Sequence, residues 1–196
     1  MSDALPVMPF YLILMIERIT TLNLFSTNIL ITSIAITAIL FLIVAFFSRA
    51  RLRRIVGVLL VSIPIIPLVM FYDKIASQFG WWHYPSVTAA TAPLAWYVAV
   101  ALGYGAAFGL VGWRIIRRWE TRGSLSFLLI FSMFGVGRDL VYSMTTQFIV
   151  FGPGPLPLLA DLFAYGSSAV VVQLLMRWIV GSAQSDQLAR TPKSNT

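Results

Sequence analysis

Four ionisable side chains stand where this chain gives them little access to water. Arg138 and Asp139 are adjacent near the middle of the apolar run from Leu125 to Phe148, Asp161 lies about one turn into the run from Leu156 to Val180, and Asp73 closes the run from Ile55 to Tyr72. A charge near the centre of a bilayer-crossing helix costs roughly 2.5 to 3.5 kcal/mol on insertion scales, so such residues are read first as a polar site within the membrane. The competing explanation is structural, because buried ion pairs also clamp helices together with no chemistry attached.

Successive residues on a helix point about 100° apart, so Arg138 and Asp139 are not expected to face one neighbour together. The spacing favours Arg138 paired across helices with Asp161, leaving Asp139 as proton donor or acceptor and Asp73 as a third carboxylate. Burial favours the protonated form of a carboxyl, whereas a neighbouring arginine keeps one ionised. That division is what proton-initiated chemistry on an alkene or epoxide, or a proton relay, requires. Tyr142 and Ser143 share the Asp139 face, Gln147 extends it, and Tyr165 follows Asp161 by four. With Trp82 and Trp96, the residues Tyr142, Gln147 and Tyr165 are the candidate substrate-binding groups. His83 stands among aromatics as an interfacial side chain and is the one histidine able to sense pH.

The elements that must position these groups are membrane helices. The chain is 59% hydrophobic and only 11% charged, against about 25% charged in soluble domains. Five runs have spanning or near-spanning length: Ile29 to Ser48, Ile55 to Tyr72, Ala92 to Trp113, Leu125 to Phe148 and Leu156 to Val180. Residues 9–25 start apolar, then meet Glu17, Arg18 and Asn23, which predicts an interfacial or half-inserted helix; a sixth span results if they cross. The segment is not expected to be a signal peptide, since it shows neither a basic n-region nor a small-residue cleavage site. The expected fold is therefore an all-α polytopic bundle over residues 1–181, with 182–196 as a disordered cytoplasmic tail.

The net charge of +7 is topological and gives no reason to expect nucleic acid. Eleven of the fourteen basic residues fall in two connections, around Arg49 to Arg54 and Arg114 to Arg122, and in or beyond the last turn of the final run. The positive-inside rule puts those segments in the cytoplasm and the N-terminus outside, as in a bacterial cell membrane. With no cysteine and one histidine, the usual metal ligands are missing, so no metal or cofactor is expected. Pro64 and Pro67 should bend the second run. Ala101, Gly105 and Gly109 form a small-residue stripe through which a helix, or a further copy or partner subunit, could approach. Tyr72, Trp81, Trp82, Tyr84 and Trp96 at one edge, and Trp113, Trp119 and Trp178 at the other, have the placement of an aromatic belt.

Residues 55–113 and 125–180 read as a parallel internal repeat. Asp73 is followed by Gln78-Phe79-Gly80 and then Pro93-Leu94-Ala95-Trp96; Asp139 is followed by Gln147, Phe151-Gly152 and then Pro157-Leu158-Leu159-Ala160-Asp161. Together with Phe79-Gly80-Trp81-Trp82-His83-Tyr84-Pro85, this pattern resembles the small integral-membrane lycopene-cyclase-domain family of carotenoid biosynthesis and the related carotenoid hydratases. The resemblance covers about a quarter of the chain. It implies acid-base chemistry on a lipophilic isoprenoid substrate within a helical membrane scaffold. The family's Pro-x-Glu-Glu carboxylates are replaced here by Ala95 and Trp96, and only Asp161 restores an acid in the second copy. Two other functions fit the same residues: a non-enzymatic subunit or assembly factor of a membrane complex, and a small proton-coupled carrier.

Overall fold

The computed structural model describes residue 28 and residues 30–85 and 93–186. The N-terminal segment expected at the interface, 9–25, lies outside them. The described chain is mostly helical, with four helices long and apolar enough to cross a membrane. In order it runs through α1 (Leu30–Ser48), α2 (Leu52–Ser62), α3 (Ile65–Gln78), strand β1 (Trp82–His83), α4 (Leu94–Val100), a π-helical segment (Ala101–Ala107), α5 (Phe108–Thr145), strand β2 (Val150–Phe151) and α6 (Leu156–Val180).

Helices α2 and α3 meet at Ile63 and Pro64. Proline has no N–H to give, so the break is bridged by tighter bonds, Ile63 N to Leu60 O at 3.3 Å and Ile66 N to Ile63 O at 3.1 Å. Pro67 falls in the first turn of α3, where a missing donor breaks no intrahelical bond. The expected bend is thus a two-residue junction between separate helices.

The stretch Leu94–Thr145 comprises 52 helical residues, which laid straight would reach about 78 Å, more than twice an apolar bilayer core of about 30 Å. It does not run straight. Glu120 adopts φ 50° and ψ −126°, breaking α5 into arms 108–119 and 121–145 that fold back on each other. Phe108 meets Phe131 with ring centroids 5.4 Å apart, and Gly123 sits against the Ile115 carbonyl so closely that a Cβ would come within 2.7 Å.

The small-residue stripe is used inside the chain. A Cβ on Gly105 would meet the Ser62 side chain at 2.7 Å and its Cα at 3.0 Å, and one on Gly109 would meet Val58 at 2.7 Å and Val172 at 3.2 Å. Ala101, Gly105 and Gly109 are all buried. The stripe is therefore packed within the chain against α2 and α6. Buried side chains line two apolar clusters, one around Tyr97, Tyr104 and Phe131 and one around Val58, Leu110 and Trp113. The outward faces are as apolar as the core: Phe46 is 78% exposed, Met144 83% and Trp178 82%. Large apolar side chains pointing both inward and outward suit a lipid surround.

At one end, β1 and β2 pair antiparallel, Trp82 opposite Phe151 and His83 opposite Val150. A helix runs into each strand and a helix returns from each. Gly152 N donates to Trp81 O at 2.8 Å, and at Gly152 a Cβ would overlap the Gly80 carbonyl, so the Gly-Pro-Gly-Pro turn requires glycine there. The other end gathers the α1–α2 turn, the Glu120 reversal and the end of α6, with the arginine clusters. There the stretch expected as a free tail begins instead as a bound turn. Arg54 Nε bonds Asp186 at 3.1 Å and Arg117 Nε donates to the Asp186 carbonyl at 2.8 Å. Residues 187–196 lie outside the described ones.

Candidate functional site

The ribbon end covers a polar centre built from α3, α4, the second arm of α5 and α6. Asp73, five residues before the end of α3, is 4% exposed and accepts three hydrogen bonds: from Trp82 Nε1 at 2.9 Å, Tyr84 OH at 2.9 Å and Tyr97 OH at 2.5 Å. Two donors come from the ribbon segment and one from α4, so this carboxylate ties the ribbon to the bundle. Burial, and next the Asp73 charge, hold the Tyr84 phenol well above its ordinary range, which keeps its proton on the donating oxygen.

Asp139 is engaged differently. Arg138 Nε donates to its Oδ1 at 2.7 Å, Arg138 Nη2 donates to Tyr165 OH at 2.6 Å, and Tyr165 OH donates to Asp139 Oδ2 at 2.6 Å. The three side chains close a ring. The expected Arg138–Asp161 pair is not formed, and the expectation that sequence neighbours would part is corrected: the long arginine side chain curls beside its own helix to reach Asp139. Tyr165 from α6 supplies the cross-helix link. Its ring packs so tightly on Gly135 that a Cβ there would overlap it.

Four aromatic rings surround the Arg138 guanidinium, with centroids at 4.6 Å for Tyr104, 5.2 Å for Trp96, 5.7 Å for Tyr142 and 5.8 Å for Tyr165. Cation–π attraction replaces part of the hydration that the side chain, 20% exposed, has lost. Tyr104 is aimed by the π-helical segment, a form that recurs at functional sites because it re-aims side chains within a helix.

Asp161 completes the group and is the exception among its carboxylates; the Tyr104 hydroxyl is likewise buried without a partner. It is 4% exposed, and its Oδ2 is buried with no hydrogen-bond partner. Asp73, Arg138, Asp139, Asp161, Tyr165, Trp82 and Trp96 share the wall of one cavity of about 30 Å³. That volume admits a water molecule, which needs roughly 10 to 15 Å³ on this measure, but no carbon skeleton. Among the described residues no three of His, Cys, Asp and Glu come together closely enough to hold a metal ion.

Of the groups expected at the site, Tyr142 reaches it only through its contacts with Arg138 and Trp96. Gln147 does not reach it. The helix ends at Thr145, and Gln147 is exposed in the following turn with φ 51°. His83 is exposed on β1. Trp82, Tyr84 and Trp96 leave the expected aromatic belt for the interior, as does Trp113, only 1% exposed at the opposite end. Trp119 and Trp178 keep belt-like exposure. Tyr97 and Tyr104 had no part in the expected site. Their only sequence signal was a tyrosine every seven residues along the third run, one face of a helix at nearly two turns' spacing.

No protein-family model matches the chain, and neither a curated protein nor a solved structure matches it.

Proposed function

We propose that this chain is a membrane protein of five crossings whose working part is an acid-base centre, with Asp161 as the group that takes up and releases a proton. The crossings are α1, the α2–α3 pair, the two arms of Leu94–Thr145, and α6. The positive-inside rule turns the arginine-rich end to the cytoplasm and the ribbon outward. One observation carries the assignment to Asp161: among the three carboxylates of the centre it alone has a buried oxygen without a partner. A carboxylate already held by fixed donors gains less from a proton than one with an orphaned buried oxygen, and water in the adjoining cavity is a route for delivering one. Asp73 and the Arg138–Asp139–Tyr165 ring are the frame.

A cavity of this size favours proton exchange over direct turnover of a large substrate. The second reading, acid-base action on a lipophilic isoprenoid, draws support from the aromatic lining: Trp82, Tyr84, Trp96 and Tyr165 offer the ring faces that would stabilise a developing cation beside an acid. It requires Asp161 to be reached from the lipid side. The discriminating experiment pairs the wild type with Asp161→Asn in lipid nanodiscs, following proton uptake with a pH-indicator dye after a small pH step. Loss of one slowly exchanging proton in the variant supports the proposal. An unchanged uptake rejects it and favours a clamp, the role of a non-enzymatic subunit. A changed isoprenoid lipid profile in cells carrying Asp161→Asn would favour the second reading.

A further inference from the structure

A second cavity lies at the opposite end from the acids. About 360 Å³ in volume, it is lined by both arms of α5, the last turns of α6 and the turn Gly181–Gln184, and it falls within the range of about 300 to 1,000 Å³ typical of small-molecule sites. Its wall is mostly apolar. Leu125, Val170 and Leu174 line it and are also 64%, 43% and 60% exposed on the outer flank, so it borders the surface that acyl chains would cover. Its wall includes two polar groups that an apolar filling would not explain.

The first is Arg54, 1% exposed, stacked over the Trp113 ring at 5.1 Å. Its bonds go to the Asp186 carboxylate and the carbonyls of Gly181 and Ser182, all within the segment that follows α6. The second is Trp113 itself, whose buried indole N–H has no acceptor. Arg177 adds a second cation to the wall. A buried arginine whose one carboxylate partner among the described residues, Asp186, stands just after α6, beside an unused N–H donor and a lipid-bordering apolar chamber, matches an amphiphile in both parts.

We infer that this cavity binds a single-chain anionic lipid from the surrounding leaflet, its chain among Leu125, Leu128 and Leu174 and its carboxylate on Arg54 and Trp113, in competition with Asp186. The Asp186 side chain presents to Arg54 the group that a fatty carboxylate would present, and the guanidinium fork accepts either.

The test uses the full chain in nanodiscs and a dibrominated stearate, whose bromines quench nearby tryptophan fluorescence. The expected result is saturable quenching of a component that Trp113→Phe removes, weak with the dibrominated stearyl alcohol, and about tenfold tighter in Asp186→Asn, which frees the arginine from its internal partner. Quenching that rises in proportion to bromine content, equal for acid and alcohol, would mean bulk lipid contact and overturn the inference. So would an Asp186→Asn affinity equal to wild type. The readout involves no proton transfer, so it stands or falls separately from the role given to Asp161.

Discussion

Asp73 and Asp161 line the same small cavity, are buried to the same degree, and differ in almost everything else. Asp73 receives three hydrogen bonds from neutral donors on two segments, and Asp161 Oδ2 receives none. Asp139, between them in the chain, is held by a cation and a phenol in a closed ring. On the reading proposed above, burial alone does not mark a working carboxylate; frame and working group differ in whether the surrounding donors have already met the demand of the charge.

That contrast predicts an order of effects. Asp73→Ala should be the most damaging change, since it strands the Trp82, Tyr84 and Tyr97 donors at once; the loss should reach about 3 kcal/mol or more, seen as failure to accumulate folded protein in membranes. Arg138→Gln should cost about 3 kcal/mol as well, because Asp139 is left as a buried charge without its cation; thermal unfolding in detergent would show it. Tyr84→Phe should cost about 1 kcal/mol, with Trp82 and Tyr97 still in place. It should also alter the alkaline limb. The folded phenol titrates above its unfolded value, so its contribution is complete below pH about 10 and fades as pH climbs toward the folded value; the variant should lose that part of the slope. Asp161→Asn should change stability least, within about 0.5 kcal/mol, since no bond is broken. A large loss there would erase the distinction drawn between the two carboxylates.

The apolar runs were legible in the sequence because hydropathy and length report directly on helices that lipid can surround. The junction at Pro64 and the arginine-rich reversal at Glu120 were legible for the same reason, the first from a missing donor and the second from charge between apolar runs. That Asp73 and Asp161 approach one another followed from their positions near the same ends of their runs; Asp139 joins them because its helix stops at Thr145, short of the run's end. Their partners did not follow from position. The curl of Arg138 onto Asp139 depends on side-chain reach and on the Tyr165 ring seated over Gly135, neither of which helix spacing reports. Nor could aromatic counting separate Trp82, a donor to Asp73, from Trp178, which is exposed, since both stand near the edge of an apolar run.

Infrared difference spectroscopy of the protein in nanodiscs, recorded across a pH step for wild type and for Asp73→Asn, Asp139→Asn and Asp161→Asn, tests the central claim most directly. The account predicts a pH-dependent carboxylic-acid carbonyl band, shifted in deuterated water, that disappears only in Asp161→Asn. A band that survives that substitution, or that is lost with Asp73 or Asp139 instead, would contradict it.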